Sequence, residues 1–173
     1  MPIGYIPADR NHAALVLDFS LQQNVALNHP DQPPYGNRWV MNHRKITQVT
    51  EEKLRQFHVA ASGPAEQARN LSGGNQQKVV LAREVGEKVD LIIAVYPTRG
   101  LDIDATHFVF DTMLKARDEG AAVLYISTEL EEILSVSDRI GVLYEGTLMG
   151  IIPGEGAQVE KIGLMMAGEQ VAE

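Results

Sequence analysis

One stretch concentrates the groups most able to do chemistry: Leu71-Ser72-Gly73-Gly74-Asn75-Gln76-Gln77-Lys78. Two adjacent glycines let another group come close to the backbone and leave amides uncovered. The residues behind them predict a helix from Asn75 to about Val85, ending at Gly86. A helix start carries unpaired amides and a partial positive charge, and Ser72 adds a hydroxyl donor. Together these groups make a receptor for phosphate. A Ser-Gly-Gly turn that only opens a helix satisfies the same residues, and the glycines by themselves favour that plainer role.

The surrounding pattern says what holds this corner. Ile3 to Ile6 reads as a short strand closed by Pro7, and Leu15 to Phe19 has an extended character. Ser20 and Gln23 have capping-box spacing and open a helix that Pro30, Pro33 and Pro34 stop. Thr50 is expected as the N-cap of a helix running to about Ala60, with Glu51 and Glu52 in its first turn and Val49 stapled to Leu54. Residues 61 to 70 connect this helix to the Ser-Gly-Gly corner. Leu91 to Val95 is a continuous apolar run, expected as a strand buried on both faces. A helix from about Asp104 to Arg117 follows, with Val109, Met113 and Ala116 on one stripe and Gly120 beyond its end. Ala121 to Ile126 predicts a second buried strand, and Leu130, Ile133 and Leu134 a short helix. Ile140 to Tyr144 and Leu148 to Ile152 flank a hairpin turn at Glu145-Gly146-Thr147. Alternating strands and helices define an α/β fold with a mainly parallel sheet. The segment from about 18 to 88 is expected as a helical subdomain inserted in an α/β core of residues 1–17 and 89–173.

Composition narrows the partners. The 173 residues suit one domain with a core, and a net charge of −8 argues against a general nucleic-acid binder. There is no cysteine, so disulfides and thiolate metal sites are excluded. His12, His29, His43, His58 and His107 show no metal-ligand spacing and are given ordinary surface or core roles. The longest apolar runs fall far short of the ~20 residues of a membrane-spanning helix. A role at a membrane would then run through a partner already there.

The octet at 71–78 resembles the signature motif of ABC ATPases, in the Gly-Gly-Asn-Gln-Gln-Lys form of the double-cassette importers of simple sugars and nucleosides. Further stretches agree with that family in order. Tyr5-Ile6-Pro7-Ala8-Asp9-Arg10 is similar to the Q-loop segment of its second cassette, and Pro97-Thr98-Arg99-Gly100-Leu101-Asp102 to the end of the Walker B segment and the D-loop. Ile126-Ser127 with the stretch from Leu130 to Ile140 resembles the switch region, and Ile162 to Gly168 the closing segment. The resemblance covers nearly the whole chain and implies a partial P-loop NTPase fold.

The sequence also departs from that family. No Gly-Lys pair occurs, so the phosphate loop of the form Gly-x-x-x-x-Gly-Lys-Ser/Thr is absent. In the family this loop precedes the Q-loop segment, and the expectation is a fragment of the second cassette with the phosphate-loop strand missing. The Walker B carboxylates align with Val95 and Tyr96, the switch histidine with Thr128, and the Q-loop glutamine with Ala8. Glu129 is read as a solvated helix-start glutamate rather than a substitute base.

The resemblance implies a division of labour between paired cassettes. Ser72, Gly73, Gly74, Asn75, Gln76 and Asp102 would contact ATP held by the first cassette of the same subunit. ATP and magnesium belong to the full assembly, none is expected on this chain alone, and the chain alone is not expected to hydrolyse ATP. The other implied partners are membrane permease subunits and, indirectly, a receptor lipoprotein or periplasmic binding protein, at the cytoplasmic face of the membrane, with no nucleic acid. A sheet lacking its phosphate-loop strand has a gap or a bare edge, open to rearrangement, strand swapping or self-association. Two other readings stand beside this one: an interaction module that uses the fold without nucleotide, and a soluble ABC ATPase of DNA repair or translation.

Overall fold

In a computed structural model that describes residues 1–28, 30–86 and 89–169, strands and helices alternate along the chain. His29, given an ordinary role above, lies outside the described residues. The chain divides into two compact units, Met1–Leu124 and Tyr125–Glu173.

The first unit is built on strands β1 (Ile3–Ile6) and β2 (Leu91–Val95); β3 (Ala122–Ile126), across whose length the unit boundary falls, comes third in a sheet of order β1-β2-β3. The strands ending near Pro7, Val95 and Ile126 thus lie side by side. β1 and β2 run parallel, with Ile3 opposite Leu91 and Ile6 opposite Ala94. Ile6, Ile92 and Ala94 are fully buried, whereas Ile3 and Tyr5 are about half exposed. Burial on both faces, expected for β2, is therefore complete only at alternate residues. β3 departs further: its residues alternate between exposed and half-buried, and Leu124 is 51% exposed. An apolar run signals a strand, but among the described residues β3 stands last in its sheet and has a neighbouring strand on one side only.

Helix α3 (Gly73–Glu84) is the centre of this unit, with Val79, Val80, Leu81 and Ala82 essentially without exposure. A helix apolar on several sides has to be surrounded. α1 (Leu21–Val25), α2 (His43–Gln56) and α4 (Ile103–Asp118) pack on it together with β1. β1 approaches so closely that a Cβ on Gly4 would lie 2.5 Å from the Glu84 carbonyl oxygen. At the same end, the buried Glu84 carboxylate meets Arg83 at 2.7 Å and accepts from Asn28 at 2.8 Å and from the Tyr5 amide at 3.2 Å.

The capping box that opens α1 is present: the Gln23 amide donates to Ser20 Oγ at 3.4 Å and the Ser20 amide to Gln23 Oε1 at 2.8 Å. Two local expectations are corrected. α2 begins at His43, because Asn42 caps it by accepting from the Lys45 amide at 3.0 Å. Thr50 is then mid-helix and fully buried, its hydroxyl donating to the Ile46 carbonyl at 2.8 Å. Leu15 to Phe19 forms no strand. Its backbone is paired instead by buried Asn24, which accepts from the Val16 amide at 2.9 Å and donates to the Val16 carbonyl at 3.0 Å.

The second unit carries α5 (Leu130–Val136), strands β4 (Arg139–Tyr144) and β5 (Thr147–Pro153), and α6 (Val159–Met166). β4 and β5 form the expected antiparallel hairpin, a two-stranded sheet of their own. Its turn residues Glu145 and Gly146 both have positive φ, 45° and 79°, matching the handedness that tight hairpins need. Ile140 and Val142 close the core against Ile162 and Met165 of α6. Among the described residues no helix is long and apolar enough to cross a membrane.

Candidate functional site

The Ser-Gly-Gly corner is the N-terminus of α3. Ser72 is its N-cap, with Oγ accepting from the Asn75 amide at 3.4 Å and from Asn75 Nδ2 at 3.0 Å. Both bonds use Oγ as acceptor, which leaves its proton available to donate outward. Asn75 also accepts from the Ala60 amide at 2.8 Å, so one side chain ties the segment after α2 to the helix start. The amides of Gly73 and Gly74 lie in the first turn, where no helix carbonyl precedes them. Ser72 is exposed and the next three residues half-buried.

Two loops close in behind the glycines. Asp102 caps α4, accepting from the Ala105 amide at 2.8 Å. A Cβ on Gly74 would lie 3.1 Å from Ala105 Cβ and 3.9 Å from Asp102 Oδ2. The second loop brings Arg10, whose guanidinium donates to the Arg99 carbonyl at 2.9 Å. A Cβ on Gly73 would meet Arg10 Nη2 at 2.7 Å. Among the described residues Arg10 Nε is buried without a hydrogen-bond partner. Arg10 starts a wide helical turn capped by Asp9, which accepts from the Asn11 and His12 amides and from the His12 ring. The His12 ring bond, followed by the His12 amide, holds the Asp9 carboxyl below its ordinary value.

Ser72, Gly73, Gly74, Asn75 and Asp102, singled out from sequence, are therefore neighbours in space. Gln76 takes a different position: it is 8% exposed, and its side-chain Nε2 donates to the Ala68 carbonyl at 3.1 Å, holding the short turn Ala68–Asn70 that leads into Ser72. Arg10 was singled out only as the end of a matching segment. Its meeting with Gly73 spans sixty-odd residues of chain, and no local pattern announces it. Lys78, the last residue of the octet, donates to the His58 carbonyl at 3.2 Å and lies 4.9 Å over the Phe108 ring. It fastens α3 to the end of α2 and to α4.

The corner offers what a phosphate takes: unpaired amides at a helix start, a hydroxyl proton and a cation behind the glycines. The end of β2 does not fit a magnesium ion. Val95 is its last residue and Tyr96, at φ 47°, opens the turn closed by the Arg99 amide on the Tyr96 carbonyl at 3.2 Å. Neither side chain offers the carboxylate oxygen that magnesium takes. Ala8, Thr128 and Glu129 are exposed, and Glu129 begins α5 without capping it through its side chain. Among the described residues no group of three or more His, Asp or Glu comes together to hold a metal.

Solved structures of ATP-binding cassettes share this fold. The chain superposes on an inward-facing ABC transporter with a TM-score of 0.75 and 15% identity, covering 96% of this chain and 64% of the other. It superposes on a dimeric cassette in a post-hydrolysis state, bound to ADP and phosphate, with a TM-score of 0.71 and 22% identity, covering 90% of this chain and 64% of that one. By sequence the chain is similar to ATP-binding proteins of nucleoside and ribose import. It is 40% identical over 171 residues to the nucleoside import ATP-binding protein NupA of Lactococcus lactis subsp. cremoris, covering 99% of this chain and 34% of NupA. It is 40% identical over 166 residues to the guanosine import ATP-binding protein NupO of Bacillus subtilis, covering 96% of this chain and 32% of NupO. A ribose import ATP-binding protein, RbsA of Halalkalibacterium halodurans, is 35% identical over 160 residues, covering 92% of this chain and 32% of RbsA. The chain thus spans about a third of the length of the curated relatives it matches. No protein-family model matches it.

Proposed function

We propose that the chain is the C-terminal part of the ATP-binding subunit of an importer for simple sugars or nucleosides, and that it closes a partner cassette's ATP site. The observation that carries this is the meeting of Ser72, Gly73 and Gly74 with Asp102, a corner open to an anion and backed by Arg10. The amides of Gly73 and Gly74 and the Ser72 hydroxyl bind the terminal phosphate, with Asn75 holding Ser72 in place. Asp102 crosses the same interface, and Gln76 supports the corner from beneath. ATP held by the partner supplies the free energy of transport.

A helix terminus contributes roughly 0.3–2 kcal/mol to holding an anion. Millimolar binding already needs about 4 kcal/mol, so the corner depends on a second surface to hold nucleotide. The side chains of Val95 and Tyr96 take no part in magnesium binding or proton transfer, so the chain alone does not hydrolyse ATP. Residues 18–88 form the helical part of this cassette and 1–17 with 89–173 its α/β part. The subunit works at the cytoplasmic face of the membrane with permease subunits, supplied by a receptor lipoprotein or periplasmic binding protein.

The test reconstitutes the chain with its matching first cassette and replaces Ser72 with Arg. ATPase activity should collapse, by on the order of a hundredfold, as for loss of a charge-stabilising donor. Activity equal to the parent's would remove the proposal. Val95, Tyr96 and Thr128 favour a second reading, an interaction module without nucleotide. Nucleotide binding measured before and after adding the first cassette separates the two, because the module gains none.

A further inference from the structure

The turn that follows β2, residues 96–101, keeps a shape its own residues do not favour. Tyr96 stands at φ 47° and Gly100 at φ 70°. A bulky residue rarely takes such a conformation and keeps it where its surroundings fix it. The Arg99 amide on the Tyr96 carbonyl and the Leu101 amide on the Thr98 carbonyl, at 3.2 and 3.1 Å, close the turn locally. Arg10 reaches it from a distant part of the chain, with Nη1 donating to the Arg99 carbonyl at 2.9 Å.

The same guanidinium lies on Gly73. A Cβ there would stand 2.7 Å from Nη2, 3.4 Å from Cζ and 3.8 Å from Nε. Gly73 has no positive φ, so its backbone does not require a glycine; the missing side chain makes room for Arg10. This arrangement costs free energy. Nε is buried without a hydrogen-bond partner, and among the described residues Arg10 forms no ion pair, the adjacent Asp9 carboxylate being turned to His12. A buried donor left unpaired calls for an account.

We infer that Arg10 is a positioning residue: it fastens the 96–101 turn to the start of α3 and so sets Asp102 against Gly74. Asp102 follows the turn directly, and its Oδ2 lies 3.9 Å from where a Gly74 Cβ would be. Its bond to the Ala105 amide holds it from one side, and the turn gripped by Arg10 holds it from the other. The glycine amides and Asp102 then present one surface of fixed shape, while Arg10 itself touches no nucleotide. This rests on the reading of the corner as the cover of a partner's ATP, and adds the residue that keeps its two parts in register.

Amide exchange on the chain itself tests the fastening. Arg10→Ala should speed exchange at Arg99 and Leu101 by about tenfold, the worth of one charge-assisted hydrogen bond, and leave Val80 and Leu81 unchanged. Arg10→Lys keeps the charge and loses the planar fork, so it should fold as the parent does and still fall short of it. Should Arg10→Ala speed exchange at Val80 as well, a sign of general loosening, Arg10→Lys decides. In the chain reconstituted with its matching first cassette, Arg10→Ala should lower kcat roughly tenfold or more, with KM changed by less than about twofold, because the partner holds the ATP. Unchanged exchange at Arg99 and Leu101, a loss confined to KM, or lysine equal to arginine overturns the inference. So does a parental kcat in Arg10→Ala where Ser72→Arg has collapsed, and the nucleotide reading then stands without it. Parental activity in Ser72→Arg removes the nucleotide reading itself.

Discussion

Asn24 is wholly buried because its carboxamide stands in for a neighbouring strand. It serves the amide and carbonyl of Val16 and also donates to the Phe19 and Ser20 carbonyls. Asn24→Ala should therefore destabilise the first unit by roughly 3 kcal/mol, since it strands buried backbone groups without removing much apolar surface. Urea unfolding measures this, and a change below ~1 kcal/mol would show that water takes over the bonds. Arg10 and Gly73 form the second residue-scale test. Gly73→Ala places a methyl against the guanidinium, a clash that Arg10→Ala relieves. The two substitutions should be non-additive by at least ~0.5 kcal/mol in a double-mutant cycle. Ser20 and Gln23 were legible in the sequence because a capping box depends only on residues three apart. Asn24 and Arg10 were not: their partners are fixed by tertiary approach, and nothing in a local window distinguishes either from a surface polar residue.

At the level of elements, the placement of α2 illustrates competition between caps. Thr50 followed by two glutamates satisfies every local rule for a helix start, yet Asn42 opens the helix earlier and carries it through Thr50. Ile46 and Leu54 then face the core with Thr50 between them, so burial of one stripe decides against the local signal. Asn42→Ala should cost about 1 kcal/mol and fray the first turn, visible as faster amide exchange at Lys45. Protection unchanged there would mean that packing alone sets the boundary. α4 and the β4–β5 hairpin were readable because their stop signals, Gly120 and Glu145-Gly146, sit where the backbone turns to positive φ. For β3 the apolar run gave the strand but not its cover, which depends on what stands beside it in the sheet. Neighbours are a property of topology, and one strand's composition does not contain them.

For the molecule as a whole, the three-stranded sheet ends on β3 with Leu124 and Ile126 partly in water. A strand edge of this kind attracts another. Sedimentation of the isolated chain should show mass rising with concentration, and Leu124→Lys should suppress the rise. A monomer at every concentration would dispose of self-association. The strands themselves and the Ser-Gly-Gly corner were legible from apolar runs and matching segments spread along the chain. The division into units Met1–Leu124 and Tyr125–Glu173 was not, because it reflects where contacts thin out rather than any change in composition. The parallel pairing of β1 with β2 carries a consequence for biosynthesis. Ile3 must await Leu91, which leaves the ribosome some ninety residues later. At ~5–20 residues per second that is a delay of roughly 4 to 18 s. Throughout it an apolar segment is held in the crowded cell with its hydrogen-bonding edge bare, an opening for chaperones and for misassembly alike.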